Sequence, residues 1–133
     1  MNIKDQTSYW LNSAHHDLEV AQSLFEAQKY DWCLFVGHLV LEKALKACFV
    51  NSHQQFPPKI HDLVRIAFMA GVELDDETAE FLDSVNAFNI STRYPDEKLK
   101  FYKMCTHEFT AHHFKRIREV FRWICQRIDT LER

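Results

Sequence analysis

From about Thr106 to Leu131, the apolar residues Phe114, Ile117, Phe121, Ile124, Ile128 and Leu131 follow one another at steps of three and four without a miss. That spacing lines one side of an α-helix with a continuous apolar stripe. Such a stripe is a packing seam and requires other helices laid against it. Lys115, Arg118 and Arg122 fall on a different face of the same segment. The rest of the chain meets this demand with helices: only two glycines and three prolines punctuate 133 residues, too few turn residues for a many-stranded sheet. An all-α fold in a single domain, residues 1–133, is expected, long enough to bury roughly two thirds of the surface its unfolded form exposes.

Four further helices are legible upstream. Trp10, Ala14, Leu18, Ala21 and Leu24/Phe25 mark a first stripe between about Thr7 and Ala27. A short link through Lys29 and Tyr30 makes the second helix its antiparallel partner, with Asp31 as candidate N-cap and an end near Val50. Between Trp32 and Leu41 this second helix is apolar on nearly every face, so it must be covered all round, inside the bundle or by another subunit. Pro57 and Pro58 break it off. A short third helix fits His61 to Ala70, stopped by Gly71, and a fourth fits Asp76 to Asn89, with Asp75 as cap and Leu82, Val85 and Phe88 turned inward. Pro95 biases Tyr94 toward extended geometry, so Ile90 to Asp96 is expected to leave the helix.

Charge and cysteine usage narrow the function classes. A net charge of −3 gives no strong positive field to attract nucleic acid or an anionic membrane. Cys33, Cys48, Cys105 and Cys125 form no CxxC pair, which speaks for reduced thiols rather than a zinc knuckle or redox motif. His107, Glu108, His112 and His113 crowd the start of the last helix but lack a His-Glu-x-x-His spacing, so no metal and no cofactor are expected. The basic residues Lys115, Arg116, Arg118 and Arg122 are interrupted by Glu119 and read as a solvated face. The polar start of the chain lacks the apolar core of a secretory signal, and no apolar run approaches the ~20 residues a membrane span needs. The expectation is a cytoplasmic protein without a membrane partner.

Three stretches place charged and hydrogen-bonding groups amid apolar helix sequence. They are Glu42-Lys43-Ala44-Leu45-Lys46-Ala47, His61-Asp62-Leu63 and Thr92-Arg93-Tyr94-Pro95-Asp96. In that order, after a hairpin opened by Trp10 and Asp17-Leu18 and before a long last helix, they resemble the HEPN domain over about residues 6 to 130. The resemblance implies an up-and-down bundle of four to five helices, usually homodimeric. It also implies association with nucleotides or RNA, often beside a small nucleotidyltransferase encoded nearby, in pairs of toxin–antitoxin type. The family's RNase branch carries an arginine followed four to six residues later by histidine. No arginine from Arg65 to Arg127 has a histidine at that spacing. The likeness is therefore to the non-nuclease branch, a non-catalytic binding partner of the nucleotidyltransferase.

Each singled-out residue has two readings. Arg93 and Tyr94 are suited to hold a nucleotide, by a two-pronged phosphate contact and a stacking phenol, or else to bridge carboxylates and plug the bundle end. Glu42 and Lys46 are an i, i+4 pair; if Glu42 is buried it needs a cation, Lys46 or Arg93, and ligand contact is the alternative. His61 and Asp62 either start and cap the third helix or form a catalytic pair whose nucleophile the sequence does not place. An RNase toxin acting through Arg93 with His61 or His107 is the rival function. A plain oligomeric module is the third, with Trp32, Phe35, Val36 and Leu39 as its subunit interface.

Overall fold

The computed structural model describes residues 2–132, and the side chains of these except at 4 and 130–132. Among them the chain forms six helices: α1 Ile3–Glu26, α2 Tyr30–His53, α3 Leu63–Met69, α4 Asp76–Ser91, α5 Pro95–Met104 and α6 His107–Glu132. All five expected helices are present, and α5 is added to them. The α6 seam is buried from Phe114 through Ile128, while Leu131 lies outside the described side chains.

Local chemistry explains the boundaries. Side-chain oxygens of Asn2, Asp62 and Asp75 accept backbone N–H bonds at the starts of α1, α3 and α4, filling donors that the first helical turn leaves open. Asp31 does not cap α2. Gln28, at φ 63°, reverses the chain so sharply that Lys29 N–H bonds Leu24 C=O at 2.8 Å and the new helix begins at Tyr30. Asp31 thus lies in the first turn, its carboxylate accepting from the Trp32 N–H. His61 stays outside α3, because the carboxylate of Asp62 takes the capping bonds from Val64 and Arg65. Gly71, at φ 74°, closes α3 as expected. Tyr94 is extended, as the residue before a proline should be, but Ile90 and Ser91 remain in α4 and Pro95 begins α5.

The centre of the molecule is α2, which packs against α1 along its length, against α6, and against α3, α4 and α5. This is why its sequence is apolar on nearly every face. Gly37 makes the α6 crossing close: a Cβ placed there would stand 2.8 Å from Ile117 Cδ1. The ion pair of Lys43 with Asp17, at 2.7 Å, ties α2 to α1.

Candidate functional site

One helical turn apart on the buried side of α2, Glu42 and Lys46 are each only 6% exposed. A charge so deep is tolerated only with partners. Lys46 Nζ supplies one at 3.1 Å from Glu42 Oε2, and also lies 5.6 Å from the Trp10 ring. His61 supplies the other, its Nδ1 standing 2.9 Å from Glu42 Oε1. Arg93, the other cation expected to answer Glu42, is not among its partners.

One turn earlier, His38 is fully buried, and Nε2–H donates to the His61 carbonyl at 3.0 Å. Burial lowers the His38 pKa from its ordinary value, against the opposing pull of Glu42. The ring is therefore neutral at pH 7, and its Nδ1 faces Glu42 Oε1 at 3.9 Å as one acceptor toward another, without a hydrogen bond. Glu42 Oε1 is left to accept from Nδ1–H of His61. That bond orients the ring through Nδ1 and leaves Nε2 as its other nitrogen, on an imidazole whose side chain is 59% exposed.

His61 opens onto a hollow of about 310 Å³ lined by Asp62, Asp83, Asn86, Asn89 and Ile90. Asn86 sits between the loop and α4: its Nδ2 donates to Asp62 Oδ1 at 3.0 Å and its Oδ1 accepts from Leu63 N–H at 2.9 Å. At the far end, Asn89 Oδ1 accepts from Arg93 Nε at 3.1 Å, and the guanidinium lies 5.7 Å from the Phe35 ring centre. Neither terminal amino group of Arg93 has a hydrogen-bond partner among the described residues. The hollow thus joins an oriented imidazole to two amides, and the second amide, Asn89, holds the guanidinium of Arg93, which lies outside the lining.

Of the residues singled out in the sequence, Glu42, Lys46, His61 and Asp62 come together directly, and Arg93 joins them through Asn89. Lys46 and most of Glu42 are closed off from solvent, so they brace His61 rather than face the hollow. Asp62 is engaged by the cap and by Asn86. Tyr94 is 58% exposed at the start of α5 and does not line the hollow. Sequence reasoning missed His38, hidden in an apolar run, and Asn86 and Asn89, whose three-residue spacing on α4 sets both beside the inward stripe.

Other candidates are absorbed by the fold. His107 Nδ1 bonds the Tyr30 hydroxyl at 3.0 Å, and Nδ1–H of His113 donates to the Phe109 carbonyl at 2.8 Å. No group of three His, Cys, Asp or Glu side chains among the described residues is placed to hold a metal ion. Arg118 donates to Gln22 Oε1 and lies over Phe114, while Arg116 reaches Glu119 and Thr78, so these two tie helices together. Burial pushes the thiols of Cys33, Cys48 and Cys105 up to about 12, leaving them protonated and poorly nucleophilic at neutral pH. No helix among the described residues is long and apolar enough to cross a membrane.

The family model described as the HEPN domain matches residues 7–128. The fold is similar to the crystal structure of TT1696 from Thermus thermophilus, with a TM-score of 0.78 at 20% identity, covering 95% of this chain and 98% of that one. It is also similar to the crystal structure of ST0689, an archaeal HEPN homologue, with a TM-score of 0.64 at 17% identity over 96% of this chain and 98% of that one. No curated protein matches in sequence.

Proposed function

The chain belongs to the HEPN domain family, and from that premise we propose that it is a non-catalytic, homodimeric, cytoplasmic protein that binds a nucleotide or an RNA end beside a small nucleotidyltransferase encoded nearby, in a pair of toxin–antitoxin type. Arg93 carries the reading. Its Nε is held by Asn89 and its Cζ lies 5.7 Å from the Phe35 ring centre, so the guanidinium is oriented before any ligand arrives while its terminal amino groups remain open. A pre-set fork of donors suits a phosphate, since little side-chain entropy is then lost on binding. Asn86 and Asn89 line the adjoining hollow with amides, groups that match the mixed donors and acceptors of a base edge or ribose. Tyr94, three residues past the α4 end and exposed, is available to stack on a base that projects outward.

Co-expression with the neighbouring nucleotidyltransferase, followed by size-exclusion chromatography, tests the partnership, and thermal melts with ATP, GTP and a short RNA test the ligand. Co-elution together with a melting-temperature rise that Arg93→Ala abolishes is the expected result. Failure of the two chains to co-elute, with no shift from any of these ligands, ends the proposal.

A second reading, an RNase working outside the family's Arg-x(4–6)-His pattern, is favoured by the Glu42–His61 contact. A carboxylate that holds the Nδ1 side of the ring leaves Nε2 as the His61 nitrogen that can exchange a proton with a ribose hydroxyl, with Arg93 to meet the phosphate. Growth arrest on expression, relieved by His61→Ala and by Arg93→Ala, supports it. Normal growth with intact cellular RNA removes it.

A further inference from the structure

A long groove on another part of the surface shares no lining residue with the hollow beside His61. It consists of two adjoining hollows of about 610 and 600 Å³, which meet at Glu73 and Leu74 in the link between α3 and α4. One half is apolar, walled by Val64, Phe68, Val72 and Ala79. Phe68 is 83% exposed, an arrangement that leaves a whole aromatic ring in water beside other apolar side chains. The other half is walled by Glu73, Asp75, Glu119 and the partly exposed indole of Trp123.

Charge decides what such a groove accepts. Arg116 is the basic side chain in its wall, and it is engaged by Glu119 at 3.5 Å, by Thr78 at 3.4 Å and by the face of Phe81. Glu73 has no cationic partner among the described residues, Asp75 accepts the Thr78 N–H at the start of α4 and shares the already engaged Arg116, and Asp76, Glu77 and Glu80 follow along α4 without an intervening lysine or arginine. An anionic ligand is disfavoured there, whereas a cation gains from the carboxylates and from the face of Trp123. The elongated shape, apolar at one end and acidic at the other, matches a linear occupant better than a compact metabolite.

We propose that this groove docks a peptide segment of a partner protein that carries an apolar anchor, Leu or Phe, next to Lys or Arg. The anchor packs on Phe68 and Val64, and the basic residue lies between Glu73 and Trp123. Affinity comes from burying the apolar anchor, and the acidic wall sets the direction and the choice of partner.

Fluorescence anisotropy with a set of fluorescein-labelled 12-residue peptides pairing Leu or Phe anchors with Lys or Arg tests the idea on the full chain. Saturable binding is expected, weakened at least tenfold by Phe68→Ser, by Glu73→Lys and by replacing the basic residues with Glu, and unchanged by Arg93→Ala. Circular dichroism of Phe68→Ser and Glu73→Lys controls for folding, which these exposed positions should leave intact. No saturable binding to any peptide, equal binding to the acidic versions, or affinity undiminished in both variants overturns the proposal. Loss of binding in Arg93→Ala overturns it as well, by moving the peptide to the other hollow.

Discussion

A carboxylate on the buried side of a helix persists only while its partners do, and Glu42 has Lys46 on one oxygen and His61 on the other. Lys46→Met should therefore destabilise the protein by about 3 kcal/mol, because the cost comes from stranding a charge rather than from losing a contact. Glu42→Gln combined with Lys46→Met should regain most of that loss, read in urea melts followed by circular dichroism. A double variant as unstable as the single one would show that the pair is not what matters. His38 adds a pH dependence whose sign follows from its lowered pKa. Below the ordinary value of 6.5 the unfolded chain binds a proton that the folded chain refuses, so stability falls as the pH drops through that value and stops falling at the folded pKa. One such group gives a slope of up to about 1.4 kcal/mol per pH unit, and His38→Gln should flatten the melting-temperature profile as the pH falls below about 6.5. The Glu42–Lys46 pair was legible because i, i+4 spacing settles adjacency within one helix. The part played by His61 was not, since it depends on where a loop after two prolines returns to α2.

Helix ends were readable where the residue type announces them, as at Asp75 and Gly71, and misread where the path of the backbone decides them. The turn at Gln28 moved the start of α2 ahead of Asp31. At Pro95 the same residue sends two messages: it bars helix at Tyr94, yet its fixed φ and missing N–H suit the first turn of the next helix, with Asp96 and Glu97 favoured at the positive end of the dipole. Weighing only the first message loses α5. Gly37 shows the same limit, because nothing in the sequence says that a mid-helix glycine marks a close crossing. Alanine there would set helix propensity against a contact with the end of the Ile117 side chain, but leucine leaves no ambiguity. Gly37→Leu should cost about 1–3 kcal/mol by overpacking the α2–α6 crossing, seen as a lower denaturation midpoint with helicity retained before the transition. Unchanged stability would mean that α6 can move away freely and that the crossing is not tight.

At the scale of the whole molecule, α2 is covered by five neighbouring helices and still shows part of its first half to solvent. Cys33, Leu34, Gly37, His38, Val40 and Leu41 are buried, whereas Phe35, Val36 and Leu39 are half-covered and Trp32 is 41% exposed. Leu99 and Tyr102 of α5, both exposed, share the neighbourhood through Lys98, whose Nζ lies 5.0 Å from the Trp32 ring. The all-round apolar sequence of α2 is thus satisfied largely within one chain, and Trp32, Phe35, Val36 and Leu39 are the strip it leaves partly uncovered. A charge at Val36 tests two things at once, because that side chain also packs against the core. Trp32 separates them: a glutamate there points to water in the monomer and has Lys98 within reach. In a homodimer built on this strip, Trp32→Glu should convert the species seen by size-exclusion chromatography with light scattering from two chains to one, with helix content unchanged. It should also abolish the dependence of melting temperature on protein concentration, the mark of folding linked to assembly. Val36→Glu should lower the melting temperature further than Trp32→Glu, since part of its cost falls on the monomer. A Trp32→Glu protein that remains a dimer would move the subunit contact off this strip and leave the exposed indole to another partner.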